Sequence, residues 1–492
     1  MEDVMVIRFT SADIDQFKEL SGDVNPLHTD EIYARKTPFG ERVVYGILVL
    51  LRAMTALKGR TIFLKRLKVD FVRAVFPDVP YSLEVSEEGA EKIVLRVFDG
   101  TINVLKADLS IEKGPLYVPN ASAAGRVETL REPRAPTLEE IGGNYSFSGV
   151  YGMSLRPGRL TEELRSLDWL GLWQLAAIVG SSYVVGMEVP GRQALFVGMD
   201  LEFDHADPAR GVLEYEGTVR RADERVGLVE FDCRYAVQGV SVASGRYKTF
   251  MRPDRRVDSQ VDSGAEVREI MKGRTVAVIG GSRGIGARVA ESMARHGADT
   301  IVCYQKCSDD ALFLKSRYPG RITLMQGDAS SMQWCMDLAR GYPAMDGIVL
   351  CASPAIKPLR FDVHTIDRVS EFIERSVSLV ATPLAACISA LSESGGKCIV
   401  MSSDVVNRPF VDWPHYVAAK CAIEGFIRTI RLQYPSVDYH ILRPRKVLTD
   451  LINSNMGRIG AVSPDLIAKK ITEIFLDDTR SDHVNIIEDF GS

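Results

Sequence analysis

Three clusters of residues have types and spacings suited to chemistry. Residues 21–28 read SGDVNPLH, which places the carboxylate of Asp23 and the imidazole of His28 in one short segment stiffened by Pro26. A carboxylate and an imidazole that share one water meet the requirement for adding water to a carbon–carbon double bond, or removing it. Residues 279–286 read IGGSRGIG, with Ser282, Arg283 and Ile285 set among Gly280, Gly284 and Gly286. Such glycines let the backbone approach a pyrophosphate at a helix N-terminus. Ser403, Tyr416 and Lys420 lie in MSSDVVNRPFVDWPHYVAAK. Tyr416 and Lys420 are one helical turn apart, so both side chains share a face.

Each cluster needs elements that position it. After a strand (VMVIRF) and a short helix capped at Thr10 or Ser11, the apolar stretch Gly46 to Leu57 reads as a helix buried nearly all round. The strand-like runs TIFLKRLKVDFVRAV, YSLEVSEEG, KIVLRVFDG and NVLKADLSIEK follow. One buried helix followed by a curled antiparallel sheet is a hot-dog arrangement. Leu167 to Val185 begins the same order again, and QALFVGMDLEF, GVLEYEGTVRRA, GLVEFDCRYAV and VSVASGRYKTFM follow. Two such units would form a pseudo-dimer that buries the edges of both sheets. From residue 273 onward, apolar strands alternate with helical segments, the pattern of a doubly wound parallel sheet of Rossmann type. The expected organisation is a hot-dog domain over 1–113, a linker over 114–144, a second hot-dog domain over 145–252, a charged linker over 253–272 and an α/β domain over 273–492.

Residues 9–50, including SGDVNPLH, closely resemble the MaoC-like, (R)-specific enoyl thioester hydratase family. The resemblance implies that Asp23 and His28 are the catalytic pair and that Asn25 helps to fix their geometry. It further implies that Gly46 offers its amide to the thioester carbonyl, and a helix N-terminus suits developing enolate charge. The sequence departs from the family at Tyr45, where a His is usual before that glycine. The second hot-dog unit lacks an SGDxNPxH segment, and its His205 is a lone loop histidine. That unit is expected to complete the fold and shape the acyl tunnel.

Residues 273–492 resemble the short-chain dehydrogenase/reductase family. The glycine turn, Asp328 in MQGDAS, the Ser–Tyr–YxxxK set and a closing HVNIIEDFG match in order. By that resemblance Tyr416 is the acid for a carbonyl oxygen. Lys420 assists by its charge and binds the nicotinamide ribose, and Ser403 holds the substrate oxygen. Departures are Ile279 before the first glycine, Cys351-Ala352-Ser353-Pro354 in place of NNAG, Ser378 in place of a helical Asn, and Pro444-Arg445 in place of Pro-Gly. The second strand ends in Cys303-Tyr304-Gln305-Lys306, with no acid to bind a ribose 2′-hydroxyl. With Lys306 there and Arg283 in the turn, NADP(H) is favoured over NAD(H).

Both resemblances converge on one substrate type. A reductase would interconvert 3-oxoacyl and (3R)-3-hydroxyacyl thioesters, and a hydratase would interconvert the latter with trans-2-enoyl thioesters. The reductive direction is the favoured reading. The alternatives are the oxidative direction with NAD, and an acyl-thioester scaffold with a degenerate reductase site. The thioester is expected on acyl carrier protein or CoA, with a homo-oligomer formed through the reductase domain. Of 492 residues, 46% are apolar and 25% charged, which excludes global disorder, and the formal charge of −5 argues against nucleic acid or anionic lipid as partner. No uninterrupted apolar run spans a bilayer, and the acidic N-terminus does not read as a signal peptide, so a cytoplasmic protein is expected. The eight cysteines, all at or after Cys233, read as reduced thiols with no metal site.

Overall fold

The computed structural model describes residues 5–113, 122–123, 132–153, 159–206, 208, 210–253, 268–454 and 457–490. The chain forms two compact units, the first essentially Met1–Arg255 and the second from Arg256 onward. Most of both expected linkers lies outside the described residues. The described end of the first, 132–144, packs into its unit and buries Ile141.

The first unit holds β1 (Met5–Arg8), β2 (Ile62–Phe71), β3 (Pro80–Glu87), β4 (Lys92–Asp99) and β5 (Ile102–Lys113). Its second half holds β6 (Ser146–Tyr151), β7 (Ala194–Phe203), β8 (Leu213–Asp223), β9 (Leu228–Val237) and β10 (Val240–Met251). All ten join one antiparallel sheet in the order β1-β3-β4-β5-β2-β7-β10-β9-β8-β6. Each half repeats the same strand order, and the halves meet where β2 pairs with β7, Leu67 opposite Leu201 and Val69 opposite Met199. The inner edge of each half is thereby covered by the other, and an exposed edge would otherwise template aggregation.

Each half also carries a central apolar helix. Gly46–Met54 buries Ile47 through Leu51 together with Ala53 and Met54, and its one charged side chain, Arg52, pairs with Glu163 at 2.7 Å. Leu172–Tyr183 is likewise mostly buried in the second half and continues into a π-turn, Val184–Glu188. The side chain of Gln174 donates 2.8 Å to the carbonyl of Leu64, which ties the second helix to the first half's sheet.

The second unit is a seven-stranded parallel sheet. Its strands are β11 (Thr275–Ile279), β12 (Asp299–Tyr304), β13 (Ile322–Gln326), β14 (Gly347–Leu350), β15 (Lys397–Met401), β16 (Asp438–Leu442) and β17 (Asn485–Ile487). Their order is β13-β12-β11-β14-β15-β16-β17. The order reverses beside β11, so a crevice opens at the carboxyl ends of β11 and β14, the usual ligand position in open α/β sheets. One helix here, Ile366–Ser394, is long and apolar enough to cross a membrane by length and composition, and 44% of its most apolar window is buried. The count of uninterrupted apolar residues overlooked it because Ser, Thr and Pro break up the run. The eight cysteines are free thiols, five of them buried.

Two candidate active sites

The first site hangs between two helix caps. The helix Ser11–Ser21 opens with a capping box, in which Thr10 accepts from the Asp13 amide at 3.2 Å and Asp13 accepts from the Thr10 amide at 2.7 Å. It ends at Gly22 in the left-handed region, φ 68°, immediately before Asp23. Asn25 then caps the turn Pro26–Thr29 by accepting 3.0 Å from the Leu27 amide. The loop carrying Asp23 is therefore held at both ends by local hydrogen bonds.

Asp23 is buried, and both of its oxygens are engaged. Oδ1 accepts 3.0 Å from the Asn25 amide, and Oδ2 accepts 2.7 Å from the hydroxyl of Ser182 in the second half's helix. Burial raises its pKa to about 7, against the opposing effect of those two bonds. His28 points Nδ1 at the Val43 carbonyl, 2.8 Å away. A carbonyl only accepts, so Nδ1 carries the proton and Nε2 keeps its lone pair. Burial lowers the His28 pKa to about 4; the Val43 bond opposes this, and Arg252 and Arg42 add to it. At neutral pH the pair is thus a carboxyl poised between its two forms and a neutral imidazole.

Tyr45 links the two groups. Its hydroxyl donates 2.6 Å to the Asp23 carbonyl, and its ring stacks on His28 with centroids 3.9 Å apart. Its hydroxyl does donate, but to the backbone of the motif. Gly46 starts the buried helix with no side-chain cap, leaving amides available. A Cβ there would lie 2.7 Å from the Phe71 ring.

The second half supplies parts of this site that the sequence did not reveal. Ser182 holds the carboxylate. Gly186, in the π-turn, lies so close that a Cβ would sit 2.4 Å from each Asp23 oxygen. The side chain of Asn25 donates 2.8 Å to the Gly191 carbonyl, and the Val24 amide lies 3.3 Å from the Met187 sulfur. π-turns often mark functional positions. The only available signal was a run of small and polar residues, GSSYVVG, inside an otherwise apolar helix. His205 stands apart, stacked on Phe63 and 3.2 Å from Glu112.

The second site lies at the sheet's carboxyl edge. The helix Gly284–Arg295 begins without a side-chain cap, and Gly280 (φ 79°) passes so close to the next strand's end that a Cβ would meet the Ala352 amide at 2.8 Å. Ser282 is buried, Ile285 packs on the core, and a Cβ on Gly286 would strike the Gly280 carbonyl at 2.2 Å. A side chain at either glycine would fill the turn. Arg283 lies 3.8 Å from Asp450, and Lys306 is exposed just past β12.

Tyr416 and Lys420 lie on the helix Pro414–Gln433, and Ser403 follows β15. Burial raises the Tyr416 pKa, against a hydrogen bond with Ser403. The ammonium of Lys420 is 5.6 Å from the Tyr416 ring centroid and donates 2.7 Å to the Met401 carbonyl. Burial brings its pKa down to about 8, with Cys351 and Glu424 acting in the opposite direction. The structure thus brings the trio together, while the phenol is tuned first by burial and Ser403. Asp328 is committed to protein partners: Arg375 forks onto it at 2.8 and 2.7 Å, and Ser330 and Gln305 donate as well. Ser378 is partly buried one turn beyond Arg375. His415, not singled out in the sequence, is buried beside Tyr416, with its Nδ1 unpartnered among the described residues.

Residues 3–109 match the family model of the MaoC like domain, and residues 274–457 match that of the short chain dehydrogenase. The chain is 25% identical over 190 residues to the cyclic-di-GMP-binding biofilm dispersal mediator protein of Escherichia coli, covering 37% of this chain and 77% of the relative. It is 23% identical to the short-chain dehydrogenase/reductase malC of Malbranchea aurantiaca, covering 42% of this chain and 83% of that one. Among solved structures, an alcohol dehydrogenase from Thermococcus sibiricus complexed with 5-hydroxy-NADP matches at TM-score 0.39 and 23% identity, covering 44% of this chain and 95% of that chain. With a hot-dog fold around SGDVNPLH and a doubly wound sheet around the Ser–Tyr–Lys set, the chain joins a MaoC-like domain to a short-chain dehydrogenase domain.

Proposed function

We propose that the chain is a bifunctional enzyme that reduces a 3-oxoacyl thioester to the (3R)-3-hydroxyacyl thioester with NADPH and dehydrates that product to the trans-2-enoyl thioester. The observation that carries this reading is the opposed tuning of Asp23 and His28, an acid–base pair of the kind that moves water across a double bond.

In dehydration, His28, neutral with its lone pair on Nε2, takes the proton from C2. Asp23 in its protonated form gives its proton to the departing 3-hydroxyl, and one water leaves. A proton passing from His28 to Asp23 restores the starting pair. The free amides at the start of Gly46–Met54 stabilise the negative charge that develops on the thioester carbonyl. Hydration is the same path reversed.

At the second site, the uncapped helix start and the close approach at Gly280 fit a dinucleotide, with Gly280, Ser282, Arg283, Gly284, Ile285 and Gly286 cradling its phosphates. NADP(H), when bound, supplies or takes up the hydride. Arg283 and Lys306 would face the 2′-phosphate, and Arg283 would share that contact with Asp450. Tyr416 holds the proton for the carbonyl oxygen, Ser403 orients that oxygen, and Lys420 would hold the ribose. Asp328 supports the site through Arg375.

The test is to compare both activities in two variants. Asp23→Asn and His28→Ala should each abolish hydration of a crotonyl thioester and leave reduction of an acetoacetyl thioester intact. Equal loss of both activities in either variant would overturn the two-site reading.

A further inference from the structure

The catalytic motif rests on residues 186–192 of the second half. The side chain of Asn25 donates 3.3 Å to the Gly186 carbonyl and 2.8 Å to the Gly191 carbonyl, and the Val24 amide lies 3.3 Å from the Met187 sulfur. The same stretch sets Gly186 against Asp23. It is also bound by Arg134, in the described end of the expected linker between the two halves. The Arg134 amide donates 2.9 Å to the Met187 carbonyl, and its own carbonyl accepts 2.8 Å from the Arg192 amide. Gly191, with φ 72°, passes so close that a Cβ would strike the Arg134 carbonyl oxygen at 2.2 Å.

The side chain of Arg134 reaches the same stretch. Its guanidinium pairs at 2.8 Å with Glu188, the last residue of the π-turn and only 2% exposed. The other oxygen of Glu188 accepts from the hydroxyl of Tyr215, on β8. A buried carboxylate is tolerated only when it is paired and hydrogen-bonded. Tyr215 supplies one hydrogen bond, and Arg134 supplies the opposite charge. Without Arg134, Glu188 would be drawn toward water, and the turn that ends on it would shift. A shift at Gly186 passes directly to the Asp23 carboxylate, because no side chain separates them.

We propose that Arg134 is a positioning residue of the hydratase centre, which holds the π-turn by neutralising Glu188 and so aims Asp23. The proposal rests on the hydratase reading of Asp23 and His28. The linker between the two hot-dog halves then completes the site as well as joining them.

Hydration of a crotonyl thioester by the full chain tests it, in wild type, Arg134→Met, Glu188→Gln and the double variant. Thermal unfolding and reduction of an acetoacetyl thioester are followed on the same preparations. Arg134→Met should lose about tenfold or more in hydration kcat with little change in KM, since the aim of the acid is disturbed and the substrate's contacts are kept. Glu188→Gln removes the charge, and its amide oxygen can still accept from Tyr215. The double variant should therefore recover most of the kcat lost in Arg134→Met. A merely structural role would lower the unfolding temperature further in the double variant and restore no turnover. A folded Arg134→Met with wild-type kcat overturns the proposal, as does a double variant no more active than Arg134→Met. Should Arg134→Met fail to fold, Glu188→Gln and the double variant decide: equal kcat in the two supports the proposal, and a further loss in the double variant overturns it. A wild type that hydrates no crotonyl thioester overturns the hydratase reading, and this proposal with it; every other outcome leaves that reading standing.

Discussion

Replacing Gly186 by alanine tests the link between the two hot-dog halves. A Cβ at Gly186 would lie 2.4 Å from both oxygens of Asp23, whereas ordinary contact begins at 3.4 Å. The carboxylate must therefore retreat by about 1 Å or rotate, because the π-turn is fixed by its buried neighbours Val184, Val185, Met187 and Glu188. Retreat breaks the 2.7 Å bond from Ser182 and the 3.0 Å bond from the Asn25 amide, the two contacts that aim the group. A misplacement of about 1 Å costs on the order of 10²-fold in rate. Overpacking of this kind destabilises by about 1–3 kcal/mol, so the fold should persist. The assay is steady-state hydration of crotonyl thioester followed by loss of enoyl absorbance, with thermal unfolding and ketone reduction measured on the same preparation. Gly186→Ala should lose about 10²-fold in hydration kcat and keep its ketone reduction. A folded Gly186→Ala variant retaining more than half of wild-type hydration would refute the claim that the second half positions Asp23.

The remaining predictions concern the two catalytic sets. Asp23 has a folded pKa of about 7, above its ordinary 3.8, so its share of stability is present below pH 3.8 and is lost as pH rises through 7. His28 has a folded pKa of about 4, below its ordinary 6.5, so its share is present above 6.5 and is lost as pH falls toward 4. The two slopes oppose each other between about pH 4 and 6.5. Denaturant titrations across that range should therefore show stability rising with pH in Asp23→Asn and falling with pH in His28→Ala; parallel slopes in both variants would contradict the assigned pKa directions. Tyr416→Phe should stop ketone reduction, a loss of about 10²–10⁴-fold, while a fluorescence titration shows NADPH binding nearly unchanged. Replacing Arg283 and Lys306 together by neutral residues should flatten the kinetic preference for NADPH over NADH, and an unaltered ratio would place the 2′-phosphate elsewhere.

Much of this protein is legible in its sequence because the relevant signals are local. The run 46–57 is apolar except for Arg52 and Thr55, so it must be buried nearly all round, and it is. The alternation of strand and helix after residue 273 orders the parallel sheet, and the glycine turn falls between its first strand and helix. SGDVNPLH carries its own caps, Gly22 behind Asp23 and Asn25 ahead of Pro26, so its shape follows from neighbours in the chain. Tyr416 and Lys420 share a face because a helical turn puts them there.

What depends on distant parts of the chain was not legible. Ser182 and Gly186 lie some 160 positions from Asp23, and no local pattern relates a serine in an apolar helix to a carboxylate in another half. Asp328 reads as a cofactor residue from its place in the chain, but its pairing with Arg375, from a separate helix, has no local signal. The pKa values of Asp23 and His28 were hidden for the same reason, since burial is a property of the packed unit. The sequence by itself determined which groups are present and which local turns hold them. Only the tertiary structure decided how deeply they are buried, what distant side chains aim them and which charges surround them, because desolvation and long-range contact exist only once the sheet has closed.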